Sequence, residues 1–220
     1  MLLCIADLLP ADEVKLACET LAKARFEDGR ATAGWSAKLV KNNLQAGRDD
    51  PALASLRRLI EQRLQGNALF QLAARPKKLT PLLLSRYEPG MAYGSHVDDA
   101  LMQGLRTDVS FTLFLSDPET YEGGDLVIES TAGEQAFKLP AGSVVTYPST
   151  SLHRVEPVTS GARLAAVGWA RSLIRDPAKR ELLFDLDTAR RRLFEQHGKT
   201  PEFDLLSKTA ANLLRLWAED

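Results

Sequence analysis

Two residues bound the chemistry open to this chain: His96 and Asp98, in the stretch Tyr87-Glu-Pro-Gly-Met-Ala-Tyr-Gly-Ser-His-Val-Asp98. The stretch reads as the end of a β-strand, where side chains at i and i+2 share a face. An imidazole and a carboxylate held side by side can grip one metal ion, and a third ligand from a neighbouring strand would complete a facial triangle. His153, which opens a new strand after the loop Pro148-Ser-Thr-Ser-Leu152, is the residue placed to supply it. Two histidines and one carboxylate form the ligand set of non-haem Fe(II) oxygenases. The chain has three histidines, and two of them stand where such a site would use them. The third, His197, precedes Gly198 and is expected to end a helix, a histidine beside the C-terminal dipole followed by a C′ glycine.

Arg163 would turn a metal site into a particular reaction. It opens Arg163-Leu-Ala-Ala-Val-Gly-Trp-Ala170, in which Arg163, Ala165, Val167 and Trp169 share one face of a strand. If that face looks into a barrel, the guanidinium is partly desolvated and must find an anion. 2-Oxoglutarate fits, its keto acid end on iron and its distal carboxylate on the arginine through two parallel hydrogen bonds. Tyr87 can add a hydroxyl hydrogen bond to the same cosubstrate.

Two other readings of the triad stay open at this level. A zinc-dependent hydrolase also uses two histidines and a carboxylate, but the chain has no His-Glu-x-x-His, no evident general-base glutamate beside the ligands, and no use for Arg163. A non-catalytic iron-binding sensor would keep the ligands and turn over nothing.

The elements that must position these residues follow from periodicity. Residues 1–78 read as N-terminal helical support with flanking strands: a short first strand, a helix from Ala11 to Arg25, a turn at Asp28-Gly29, an extended Trp35 to Asn43, and a helix capped by Asp50 and Pro51 with Leu53, Leu56, Ile60 and Leu64 on one face. Residues 79–175 change period. Short apolar runs at 82–87, 109–115, 126–129, 135–139, 143–147, 153–158 and 164–170 alternate with turns such as Glu122-Gly-Gly-Asp125. Closely spaced strands closing around a metal predict an α+β chain with a double-stranded β-helix, or jelly-roll, core. Residues 176–220 return to helix. Leu182, Leu183, Leu186, Ala189 and Leu193 form the expected stripe of one helix and Phe203 to Trp217 a second, an appendage able to pack on the barrel or to build a homo-oligomer.

Composition narrows the partners. Twenty-eight basic against twenty-nine acidic residues leave a net charge of −1, so no basic field for nucleic acid exists. No apolar run approaches the roughly 20 residues of a membrane span, and the apolar opening lacks a basic flank and is interrupted by Asp7, so a cytoplasmic protein is expected. Cys4 and Cys18 lack metal-ligand spacing and read as small buried hydrophobes.

Contiguous blocks carry a resemblance. Asp28-Gly-Arg-Ala-Thr-Ala-Gly34, Val40-Lys-Asn-Asn43, Tyr93-Gly-Ser-His-Val-Asp98, Leu105-Arg-Thr-Asp108, Gly123-Gly-Asp-Leu-Val-Ile-Glu129, Ser151-Leu-His-Arg-Val155 and Gly161-Ala-Arg163 resemble the bacterial PKHD-type hydroxylases over nearly the whole chain. These are Fe(II)- and 2-oxoglutarate-dependent dioxygenases related to the prolyl/lysyl hydroxylase catalytic domain. The resemblance implies His96, Asp98 and His153 as iron ligands, Arg163 as the cosubstrate anchor, O2 and a small-molecule or peptide substrate, assistance by ascorbate, and a tie to iron homeostasis or siderophore uptake. The strand Ala165-Ala-Val-Gly-Trp169 is lighter than the family's usual phenylalanine-rich version, which bears on the substrate pocket.

Overall fold

The computed structural model describes residues 1–47 and 50–219. Its strands are β1 (Leu3–Ile5), β2 (Phe26–Asp28), β3 (Lys41–Asn42), β4 (Leu44–Ala46), β5 (Pro76–Leu79), β6 (Leu83–Tyr87), β7 (Ala92–His96), β8 (Leu101–Met102), β9 (Leu105–Arg106) and β10 (Val109–Phe114). They continue with β11 (Tyr121–Gly123), β12 (Leu126–Ser130), β13 (Gly133–Phe137), β14 (Val144–Pro148), β15 (His153–Val155), β16 (Val158–Gly161) and β17 (Arg163–Ser172). The helices are α1 (Ala11–Ala22), α2 (Pro51–Gly66), α3 (Ala68–Ala74), α4 (Pro177–His197) and α5 (Pro201–Trp217).

While β8 with β9 and β11 with β16 form two-stranded ribbons, two antiparallel sheets organise most of these strands. The larger runs β1-β14-β10-β17-β6-β4-β2, with β5 also paired to β17, and the smaller runs β13-β12-β15-β7-β3. Alternation along each strand of the large sheet sends one set of side chains to the helices and the other to the small sheet. On β10, Phe111 and Leu113 join Leu53, Leu56, Ile60, Leu64 and Phe70 in a core under the helices. Phe114, with Tyr87 and Tyr147, instead packs against Leu126, Ile128 and Val155 of the small sheet. The result is three layers, helices on sheet on sheet, as the jelly-roll reading expects.

The expected apolar face of α2 is buried in full, and Asp50 caps its first turn through a 2.8 Å bond from the Ala52 amide. Asn67 then caps α3 through the Phe70 amide at 2.9 Å, a second helix start invisible in the apolar spacing.

Cys4, read as a small buried hydrophobe, is exposed and Cys18 is only partly buried, and three further expectations shift. The segment 35–43 is not extended: 3-10 turns at Gly29–Thr32 and Ala37–Leu39 precede a strand of two residues, because Asp28 caps the first turn and Gly29 and Gly34 sit tight against Asn43 and Asp99. The run 153–158 splits into β15 and β16, since Pro157 has no amide to continue the ladder. On α4 the buried residues are Arg180, Leu183 and Asp187, while Leu182 and Ala189 are exposed. Burial there is ionic: Asp187 pairs with Arg75 beyond α3 and with Arg190, and Arg180 donates to the carbonyls of Ile174 and Arg175 at 2.7 and 2.8 Å. Part of the helical tail is therefore tied to the rest of the chain. His197 closes α4 before Gly198 at φ 70°, exposed and remote in sequence from the triad. Among the described residues no helix is long and apolar enough to cross a membrane.

Candidate active site

β7 and β15 are neighbours, and their pairing sets His96 directly opposite His153. Asp98 follows two residues after His96, just past the strand end. One ligand atom from each of the three residues lies within 4.8 Å of the others, and His153 Nε2 is 3.8 Å from Asp98 Oδ2. Each histidine is oriented by its own backbone: Nδ1–H of His96 donates to the Gly94 carbonyl at 2.8 Å and Nδ1–H of His153 to the Ser151 carbonyl at 3.1 Å. That fixes the tautomer and leaves Nε2 of both rings free with its lone pair. Burial, reinforced by the neighbouring His153, lowers the His96 pKa to about 4, so the ring is neutral, the form a metal requires. Tyr93 stacks on His96 at 3.6 Å between ring centroids with planes 16° apart and limits its rotation.

The triad opens into a cleft of about 700 Å³, a volume that includes the open space at its mouth. Arg163 lies at its wall and is 1 % exposed. It stands opposite Tyr87 in the β17–β6 ladder, with its guanidinium carbon 5.3 Å from the Tyr87 ring centroid and 5.4 Å from that of Phe114. No carboxylate reaches it among the described residues, and its Nε and Nη2 have no hydrogen-bond partner. A buried guanidinium with vacant donors fits a ligand carboxylate. Tyr87 is buried beside it, and burial raises its pKa, so its hydroxyl remains a donor. Val167 and Trp169 line the same cleft, so the alternate face read from the sequence does look inward.

A family model described as the 2OG-Fe(II) oxygenase superfamily matches residues 82–171, and one for the PKHD-type hydroxylase C-terminal domain matches 177–219. A PKHD-type hydroxylase of Picosynechococcus sp. is 59 % identical over 215 residues, 98 % of either chain, and one of Synechococcus elongatus is 58 % identical over 223 residues, the full length of both. The chain belongs to the PKHD-type hydroxylase family. Solved structures share its fold: a Pseudomonas putida prolyl-4-hydroxylase at TM-score 0.55 and 24 % identity, covering 78 % of this chain and 92 % of that one, and a Trichoplax adhaerens prolyl hydroxylase at TM-score 0.56 and 16 % identity, covering 82 % and 86 %. This hydroxylase is a 2-oxoglutarate-dependent dioxygenase, and the family implies Fe(II) with 2-oxoglutarate. The sequence-level alternatives of zinc hydrolase and passive sensor are set aside on that ground.

Several groups in and around the hydroxylase's cleft had no role in the sequence reading. The Ser110 hydroxyl donates to Asp98 Oδ2 at 2.6 Å and lies 2.8 Å from the Ser149 hydroxyl. Having one proton, Ser110 must accept from Ser149, so a two-hydroxyl chain from the large sheet and its following loop holds the carboxylate. A serine amid the apolar run Val109–Leu115 was the available signal. Gly124, at φ +69°, makes room for Arg163: a Cβ there would come within 3.0 Å of Arg163 Cδ and 2.9 Å of Val158 Cγ2. The Trp169 indole N–H is buried at the cleft wall without an acceptor, a donor left for a ligand. The lightness of β17 also has a packing cause, since a Cβ on Gly168 would meet Phe111 Cζ at 2.6 Å and Leu82 Cδ2 at 2.8 Å.

Proposed function

We propose that His96, Asp98 and His153 hold Fe(II), that Arg163 with Tyr87 anchors the distal carboxylate of 2-oxoglutarate, and that the enzyme hydroxylates a C–H bond of a small-molecule or peptide substrate. The observation that carries this is the pairing of a preoriented His-Asp-His set with a fully buried arginine whose Nε and Nη2 are vacant, both in one cleft. Bound iron with 2-oxoglutarate and O2 supplies the oxidising equivalents, with succinate and CO2 as coproducts.

The chain's own contribution is placement and shielding. The carbonyls of Gly94 and Ser151 keep both imidazoles turned toward the ion. Ser110 keeps Asp98 from swinging away. Arg163 fixes one end of the cosubstrate, so the other end is aimed at the triad. The apolar walls from Leu126, Val155, Val167 and Trp169 lower the water content around the reacting groups. Ascorbate, as a reductant recovering oxidised iron, and a place in iron homeostasis or siderophore uptake follow from the family resemblance and belong to the same reading, as does a division into support (1–78), core (79–175) and helical tail (176–220).

Anaerobic reconstitution with Fe(II) and 2-oxoglutarate tests it. A weak visible charge-transfer band, dependent on both additions, is expected, and admission of air should yield succinate. Full-occupancy zinc binding with no such band at any iron loading would remove the reading.

A further inference from the structure

Lys41 is the one cation of the cleft, apart from Arg163, among the described residues that line it. It is 6 % exposed, on the edge strand β3, opposite Tyr93 of β7. Its ammonium lies 5.0 Å from the Tyr93 ring centroid, and that ring in turn stacks on His96. One of its three donors is used, on Thr32 Oγ1 at 3.1 Å, and Thr32 passes its own proton toward Gln45 Oε1 at 2.8 Å or the Gly29 carbonyl at 3.1 Å. Among the described residues no ion pair covers it. The carboxylates whose fields reach it are already committed: Asp98 to the triad, and Asp28 to a two-pronged bond with Arg30. Burial accordingly lowers its pKa, to about 8. A buried ammonium with no direct ion pair, one aromatic ring from His96, gains from an anion that arrives from outside.

Arg163 reaches the cleft from a different sheet. It sits in the middle of the large sheet on β17, whereas Lys41 is at the free edge of the small sheet under the lip formed by residues 29–39. Both line one cleft, with the triad also on its wall.

We infer that Lys41 is a specificity-determining residue that binds a carboxylate on the primary substrate, and that the substrate is a compact monoanion held within reach of the triad while 2-oxoglutarate occupies Arg163. A single ammonium with a neutral hydroxyl and amide beside it suits one carboxylate; phosphate sites gather several cations or backbone N–H groups. The inference rests on the proposed roles of the triad and Arg163.

The test uses N-acetyl-L-amino acids with a free carboxylate, each beside its carboxamide, spanning apolar, polar and basic side chains. Binding to the protein loaded with Zn(II) and 2-oxoglutarate is followed by ligand-observed NMR. Members of the carboxylate set should bind, with their carboxamides weaker by about tenfold or more. Lys41→Met should erase that difference and Lys41→Arg should preserve most of it. The inference is overturned if no free carboxylate binds, if carboxamides bind as well, or if Lys41→Met still discriminates; the wild-type comparison decides alone if a variant does not fold. A wild-type Fe(II)–2-oxoglutarate band alongside any of these results would sink this inference only, whereas loss of the band itself would sink the reading beneath it.

Discussion

Arg163 and Tyr87 face each other across β17 and β6, so the cleft's buried guanidinium is held over an aromatic ring rather than against a carboxylate. The arginine is thereby positioned without being neutralised. On the proposed reading its charge is left for a ligand carboxylate.

Replacing it therefore acts on the cosubstrate first. Arg163→Gln removes a buried charge-assisted pair, worth about 2–5 kcal/mol, and should raise the Michaelis constant for 2-oxoglutarate roughly 30-fold to several thousandfold. Iron affinity should stay near wild type. A keto acid lacking the distal carboxylate should lose far less from the same change; equal losses for both acids in parallel titrations would show that the arginine has another role.

His96→Ala, Asp98→Ala and His153→Ala should each abolish turnover and weaken Fe(II) binding, and pairs of them should cost little more than one alone, because a unit acting together is lost with its first member. His197→Ala should be nearly silent, since that residue is exposed at the end of α4. Anaerobic metal titration of each variant decides the matter.

Ser110 holds Asp98 directly and Ser149 stands behind Ser110, and on the proposed reading neither would touch the metal. Ser110→Ala should weaken Co(II) or Fe(II) binding by about 10- to 100-fold, the usual cost of losing an orienting partner, and Ser149→Ala by less. The Co(II) absorption spectrum should also shift as the carboxylate changes its pose. Unchanged affinity and spectrum in Ser110→Ala would mean that the carboxylate is held by other contacts.

Two glycines should respond in opposite directions. Gly124→Ala places a methyl group against Val158 and Arg163 at positive φ and should cost about 1–3 kcal/mol while raising the 2-oxoglutarate Michaelis constant. Gly66→Ala adds a methyl group that meets nothing within 4 Å at the end of α2 and should stabilise by about 0.5–1 kcal/mol. Denaturant unfolding of both proteins measures this, and a destabilised Gly66→Ala would contradict it.

Much of the site was legible because strand alternation is a strict rule. It set His96 beside Asp98 and turned Arg163, Val167 and Trp169 to one side, and the structure keeps both arrangements. The face of α2 was legible for the same reason, its burial being purely apolar. The buried face of α4 was not, because Arg180 and Asp187 are covered through ion pairs and carbonyl contacts with residues such as Arg75, more than a hundred positions away. Apolar spacing carries no trace of such partners. The relay from Ser149 through Ser110 was hidden likewise: either serine alone is an ordinary strand or loop residue, and only the pairing of β10 with β14 brings them together.

The position of β17 has a consequence for the order in which the protein comes into being. It is the last strand of the chain, yet it occupies the middle of the large sheet, between β10 and β6. During synthesis both histidine-bearing strands, β7 and β15, have left the ribosome before residues 163–172 appear, and until then the large sheet is split in two. The nascent chain can thus present its histidines before Arg163 exists, so on the proposed reading the oxidising machinery would be completed only when the scaffold that must contain it closes.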